Sequence, residues 1–388
     1  MQTRIGLLAL GTFTIGTDVF VIAGVLPSVA NDLRVSAAAA GWLLTAFAVA
    51  YAFGSPILAT AFARVPRKLL LTASLAAFSV ANGIAVFASG YDLLLGARVM
   101  AALAAALYTP TAAAVAAAAV PPAGRGRALA TVMGGMTIAI LFGVPLGAWI
   151  GETLTWRYTF AFIAGIGTLA TIGITILIPA VPPAAIVSLR ERLRPLRKRS
   201  VLAALGVTVL ATAGGFTLYT YLAPYLIEFD HAGPTGVSAA LFLFGAFSVM
   251  GNVLGGKAAD RFGPDRVIRL GLFTVAFALL AVRLASSSAI AVSLAIALWG
   301  VAGWLYQAPL QHRLIGIADS AQAVALALNG SAIYAGIAIG SGLGGLLLRE
   351  GLLAFLGIVG SALAWAALAL DYAAFGLGKS RACAVECR

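Results

Sequence analysis

The sequence predicts an all-α membrane protein, and three observations carry the prediction. First, 62% of the 388 residues are hydrophobic and only 10% are charged, with a mean hydropathy of +1.02. A soluble domain is about a quarter charged, so the solvent for most of this chain is lipid. Second, the apolar residues form long continuous runs. Backbone in lipid must be paired internally, which leaves helices or a closed barrel. Barrel strands alternate apolar and polar residues over about ten positions, whereas a spanning helix needs roughly 20 apolar residues. Third, the few charges cluster between the runs.

About twelve runs follow in order. The first six lie near 6–28, 41–62, 69–89, 93–118, 128–150 and 157–178; the second six near 201–226, 238–256, 267–285, 289–312, 322–346 and 352–375. The first run follows Arg4, as a signal peptide would, but it is long, carries Asp18 and shows no clear small-residue cleavage site. It reads as a span. The third carries Asn82, the fourth Arg98 and Tyr108, the fifth a Gly143–Gly147–Gly151 spacing. The stretch 179–200 is the longest non-apolar segment. It separates a first set of six spans (1–178) from a second set with a short tail (201–388), and its 189–196 core has the composition of a basic interfacial helix. The seventh run carries Tyr219 and Tyr221; the tenth Trp299, Trp304, Tyr306 and Gln307; the eleventh Asn329 and Tyr334.

Charge predicts orientation. With a cytoplasmic N-terminus, the inner segments hold 20 of the 25 basic residues, among them Arg64, Arg67, Lys68, the arginines of 190–199, Arg313 and the tail residues Lys379, Arg381 and Arg388. This is the positive-inside bias. It accounts for most of the net charge of +12 without nucleic acid as a partner. Both termini are then cytoplasmic. Cys383 and Cys387 lie in the tail, where thiols stay reduced, and two ligands are too few for a metal site.

The two sets match at a fixed offset of 197. Ala63 maps to Asp260, Gly143 to Gly340, Gly147 to Gly344 and Pro27 to Pro224. Internal duplication is a frequent plan in transporters whose site lies between the repeats. The chemistry is not duplicated: Asp18 maps to Gly215 and Arg98 to Ala295.

Several motifs resemble those of the major facilitator superfamily, over essentially the whole chain. GGKAADRFGPDR, with Gly256, Asp260, Arg261, Gly263 and Arg266, resembles the family's loop signature. FARVPRK is a degenerate copy that keeps Arg64 and Arg67 but has Ala63 for the aspartate and Pro66 for the glycine. LLLGARVMAALAAALYTP resembles the fourth-span motif with its arginine at Arg98. ILFGVPLGAWIG, with Gly143, Pro145 and Gly147, resembles the fifth-span antiporter motif, and GTDVFVIAGVLP the first-span motif of the same branch. Within it the motifs resemble the branch of bacterial drug–proton antiporters and sugar-efflux (arabinose-efflux-permease-like) proteins. The resemblance implies two pseudo-symmetric six-helix bundles and export of a drug-like or amphipathic small molecule in exchange for protons. It also implies a bacterial inner-membrane location, function as a monomer, and no cofactor. Sugar or metabolite efflux on the same fold stays open. The loop residues would act as a conformational latch, Asp260 favouring a helix N-terminus.

Asp18 lies about 12 residues into its run, roughly 18 Å deep and near mid-membrane. A carboxylate there is costly unless protonated, paired or facing a wet cavity, so the resemblance assigns it and Arg98 to proton coupling. The alternatives are neighbouring hydroxyls, Thr14 and Thr17, satisfying Asp18, and snorkelling of Arg98 to the headgroups. The fifth-span glycines share one face and suit close packing, as a tight junction between the two sets or as plain packing. Pro145 bends the helix. Candidate cavity residues are Asn82, Tyr108, Tyr219, Tyr221, Trp304, Gln307, Asn329 and Tyr334. An aromatic, largely uncharged cavity suits an amphipathic or neutral ligand. GNVLGGKA lacks the Ser or Thr of a phosphate-binding loop and closes a helix instead of opening one. GSGLGG lies inside a span. No nucleophile–base pair or metal set stands out, so no enzymatic activity is expected.

Overall fold

In the computed structural model, residues 2–121, 124–181, 187–285 and 288–376 are described. The tail with Cys383, Cys387, Lys379, Arg381 and Arg388 lies outside the described residues, as does 182–186 of the linker. Twelve helices are long and apolar enough to cross a membrane. They are α1 (Gln2–Asp32), α2 (Ala37–Ala61), α3 (Arg67–Val86), α4 (Tyr91–Ala118), α5 (Arg125–Thr153) and α6 (Trp156–Leu177). The second set is α7 (Arg199–Tyr219), α8 (Pro234–Phe262), α9 (Pro264–Leu284), α10 (Ala289–Ile317), α11 (Gln322–Arg349) and α12 (Leu356–Phe375). No strand is present among the described residues.

The offset of 197 holds for whole helices. Added to 125–153 it gives 322–350, against α11 at 322–349; added to 67–86 it gives 264–283, against α9 at 264–284. Each helix of the first set thus has a counterpart in the second. Thr and Ser hydroxyls within the spans turn back on their own carbonyls, as Thr14 does to Leu10 (2.8 Å) and Thr17 to Phe13 (2.9 Å). That satisfies hydroxyls that lipid cannot.

Three helices are interrupted. Helix α5 contains a π turn, Ala139–Gly143, just before Pro145. The proline ring clashes with a carbonyl four residues back, and a widened turn relieves it. Helix α7 breaks at Thr220–Tyr221 and continues as Leu222–Asp230. Helix α10 breaks at Tyr306. The α8–α9 corner is made at Gly263, whose φ of +81° admits few side chains, followed by Pro264 at a helix start.

The two sets meet where α2 packs on α11 and where α5 packs on α8. The bundle has a termini end and a far end, and the contacts between sets gather toward the far end. Tyr221, in the α7 break, wedges between Gly41 of α2 and Gly344 and Gly345 of α11, and its hydroxyl donates to the Ser341 carbonyl at 3.0 Å. Thr45 and Ser341 hydrogen-bond at 2.8 Å, and Gly24 lies against Leu241. At the termini end the linker forms a short helix, Leu189–Leu193, and a 3₁₀ turn, Arg194–Arg197. Ser188 and Glu191 make a capping box, which holds the exposed Glu191 carboxyl below its usual range. That contribution is present at neutral pH and lost in acid as the carboxylate takes up a proton. Arg192 reaches the Ala59 carbonyl of α2, and Lys198 pairs with Asp319 before α11.

Candidate functional site

A carboxylate and a guanidinium from helices 80 residues apart meet inside the first set. Arg98 Nη1 donates to Asp18 Oδ1 at 2.5 Å, and its Nη2 donates to the Asp18 carbonyl at 3.2 Å. Both side chains are buried, 0% and 1% exposed, so Arg98 does not snorkel. The guanidinium carbon lies 4.7 Å from the Phe47 ring centroid and 5.7 Å from that of Phe160. Aromatic faces stabilise a desolvated cation by about 2 kcal/mol. Thr14 and Thr17 bond their own helix and do not serve Asp18. The second carboxylate oxygen, Oδ2, accepts no hydrogen bond among the described residues. One oxygen is thus held by arginine and the other is buried without a partner, the chemistry of a carboxyl that could carry a proton.

The second set reaches this pair through Tyr334 of α11. Its ring stacks on Tyr51 of α2, with centroids 3.6 Å apart, and lies 6.3 Å from Phe47. It also lies in the electrostatic field of both Asp18 and Arg98. A second aromatic group sits between the sets: Phe20 of α1, Phe216 and Tyr219 of α7, Phe244 of α8 and Trp299 of α10. Neighbouring centroids are 4.8–6.2 Å apart, and the Tyr219 hydroxyl donates to the Phe20 carbonyl at 3.4 Å.

The other candidate cavity residues divide. Trp304 lines a small cleft with Thr137 and Ile140 of α5 and Ser248 of α8, between the sets. Gln307 stands beside Tyr306, and Tyr221 is the far-end wedge. Tyr108, Asn82 and Asn329 do not face the junction between the sets. Tyr108 donates to the Leu8 carbonyl at 3.1 Å and is seated on Gly11. Asn82 bonds Phe78 of its own helix at 3.0 Å, on α3, which packs against α4 and α6. Asn329 accepts from Thr208 at 2.8 Å. Tyr108 and Asn329 are buried polar groups bonded within their own set, as buried polar groups generally are, whereas the Asn82 side-chain oxygen accepts no bond among the described residues.

The fifth-span glycines also pack differently from a junction between the sets. A side chain at Gly143, Gly147 or Gly151 would meet Thr17, Val21 or Val25 of α1. The close approach is to a neighbour in the same set, and Gly340 and Gly344 repeat it against α7. The junction is made instead by Gly245 of α8, whose missing side chain leaves room for the Ile140 carbonyl and Leu141 in the π turn. Gly245→Val is therefore expected to push α8 off α5 and open the far end. A cysteine introduced at Leu241 should then react faster with a water-soluble thiol reagent, above the background of the tail cysteines. An unchanged rate would mean that the helices shift freely.

The loop-signature residues are not engaged as a latch in this conformation. Asp260, Arg261 and Arg266 are exposed, as is Arg64, and Asp260 has no ion-pair partner among the described residues. Arg261 lies over Phe262, and the Arg67 amide donates to the Val181 carbonyl. A buried group of ion pairs at the termini end uses Asp265 of the motif string together with residues outside it. Asp371 of α12, fully buried, accepts from Arg269 Nε (3.0 Å) and from Arg313 Nη1; Arg313 Nη2 donates to Asp265 at 2.9 Å. The sequence signal for Asp371 is the single acid in LALDYAAF, near the end of the last run.

The sequence profile described as Major Facilitator Superfamily matches residues 8–341. The chain belongs to this superfamily. It is 33% identical over 366 residues to the inner membrane transport protein YdhP of Escherichia coli (strain K12), covering 94% of each chain. It is 36% identical over 265 residues to the chloramphenicol resistance protein of Streptomyces lividans, covering 67% of this chain and 68% of that one. The solved D-xylose–proton symporter superposes with a TM-score of 0.78 at 18% identity, over 95% of this chain and 97% of the other. That likeness concerns the fold: twelve membrane helices in two sets of six. Family membership makes the protein a membrane transporter of small molecules.

Proposed function

We propose that the chain exports neutral, amphipathic small molecules across a bacterial inner membrane in exchange for protons, with Asp18 as the proton-binding group. The two bundles, 1–178 and 201–388, rock about the central site, joined by the 179–200 linker, and the protein works as a monomer. With both termini cytoplasmic, the far end is periplasmic, and the conformation is closed to the periplasm.

The observation that carries this reading is the buried Asp18–Arg98 pair with one free carboxylate oxygen. It also bears on the substrate. Asp18 is the one acid deep in the central spans, and Arg98 neutralises it, so no spare negative charge faces the cavity to attract a cation. Aromatic rings on α1, α7, α8 and α10, packed on one another here, would offer stacking surface to a neutral ring compound once the bundles part. A proton on Asp18 leaves Arg98 an unpaired cation beside the cavity, which disfavours an apolar ligand there. Proton and substrate then exclude one another, as exchange requires. Resistance to chloramphenicol, named for the Streptomyces relative, fits a neutral aromatic substrate.

The test uses purified protein in liposomes with a pH-sensitive dye inside and an imposed pH gradient. Phenicol-like neutral drugs are expected to release protons with the unmutated protein and not with Asp18→Asn. Release by lipophilic cations alone would overturn the substrate class. Movement of sugars or drugs without protons would overturn the coupling.

A further inference from the structure

The contacts that join α2 to α11 run in a row. From the far end they are Gly41 with Tyr221 and Gly345, then Thr45 with Ser341, then Tyr51 with Tyr334. The tyrosine stack is the last of these contacts before the termini end. Asp18 sits deeper from the termini end than this stack, 16 residues into α1 against 10 residues from the end of α2 for Tyr51; the carboxylate is fully buried, and Tyr51 is 5% and Tyr334 7% exposed. Phe47 completes the layer, under Arg98 on one side and beside Tyr334 on the other. The free oxygen of Asp18 is thus buried, with the packed row toward the far end and the two stacked rings nearer the termini end.

Rocking of the bundles cannot by itself explain how a proton reaches that oxygen from the termini end, because the far end is already packed and Asp18 is still covered. A ring can move without its helix: one side-chain torsion of Tyr334 carries the phenol off Tyr51. We propose that the Tyr51–Tyr334 stack is a side-chain gate that decides when Asp18 can exchange protons with the termini-end solution, with Tyr334 as the positioning residue. This rests on Asp18 being the proton-binding group. The gate is carried half by each bundle, so it registers how the bundles sit as well as the state of the pair. Its function is to prevent Asp18 from shuttling protons when no substrate moves.

The experiment measures proton leak in the same dye-loaded liposomes with no substrate present. Tyr334→Ala removes the ring and is expected to raise the leak roughly two- to tenfold, the factor a stacked aromatic pair corresponds to. Tyr334→Phe keeps the ring and should leak like the unmutated protein. Tyr51→Ala, removing the other ring, should leak as Tyr334→Ala does, and serves if that variant folds poorly. Combining Asp18→Asn with Tyr334→Ala should return the leak to its starting level, because the extra protons travel by way of Asp18. No added leak in either alanine variant would overturn the gate; so would a leak that persists without Asp18, which would mean a general opening. If substrate-driven proton release survives Asp18→Asn alone, Asp18 is not the proton-binding group, and it is that assignment, on which the gate rests, that fails. If that release is lost but the alanine variants stay tight, the gate alone fails.

Discussion

Asp18→Leu is expected to destabilise the protein by about 3–5 kcal/mol, the usual result of stripping one partner from a buried ion pair. That is a large part of the ~5–15 kcal/mol by which a folded domain is stable. Arg98→Leu is expected to cost less, although arginine is the larger side chain. The two charges differ in how they can be relieved. A carboxyl stranded in an apolar site can take up a proton and become neutral; a guanidinium cannot give one up. Asp18→Leu therefore leaves a permanent cation, held only by Phe47, Phe160 and the Asp18 backbone carbonyl, which survives the substitution. Asp18→Asn should fall between, since its amide oxygen still accepts one bond from Arg98. It resembles the protonated state that a transport cycle would visit, and must be tolerated if that cycle exists. The double variant Asp18→Leu, Arg98→Met removes both charges and should recover most of the stability, yet transport without proton release. Thermal melting of the detergent-solubilised protein reads all four. If Asp18→Leu melts with the unmutated protein, the carboxylate is satisfied by water and the ion pair is incidental.

Much of this architecture is written in the sequence, because lipid imposes a simple rule. Length and apolarity place the helices, and a duplication leaves one offset that recurs from Pro27 to Gly344. Asp18 announces itself as a charge where charges are expensive. Its meeting with Arg98 is not legible, since 80 residues and the rotation of two helices intervene. The same limit applies to the candidate cavity residues. Tyr108, Asn82 and Asn329 are polar at mid-span, which fits a cavity and equally fits a buried group bonded to its own set; only packing decides. Tyr51 and Phe47 went unmarked because aromatic residues four apart on a helix face ordinarily mean core. The fifth-span glycines predicted a close approach correctly but could not say to which helix.

Asp371 escaped for a further reason: it lies in the last turns of the last run, where a charge looks like the end of a span. In the fold it is the centre of a brace. It ties Arg269 of α9 to Arg313 of α10, with Asp265 closing the group and the two guanidiniums lying over Tyr372 and Phe375 at 4.3 and 4.4 Å. The offset of 197 maps Arg269, Arg313 and Asp371 to Thr72, Ala116 and Ile174, so the first set has no such group. Among the described residues each bundle thus has one buried charge arrangement, at different depths. The central one has a free carboxylate oxygen. In the other, both oxygens of Asp371 face arginines, which suits a fixed clamp on the termini ends of three helices. Asp371→Leu leaves two guanidiniums with the single partly exposed Asp265. It is expected to cost about 3–5 kcal/mol, again the range for an uncompensated buried charge. Melting should fall accordingly, and Arg313→Met in the same protein should restore part of the loss. In liposomes, the protein that remains folded should release the same number of protons per substrate as the unmutated chain, because the brace holds a bundle together and takes no part in exchange. An altered proton-to-substrate ratio would make Asp371 a second coupling acid, and an unchanged melting point would make the brace ornamental.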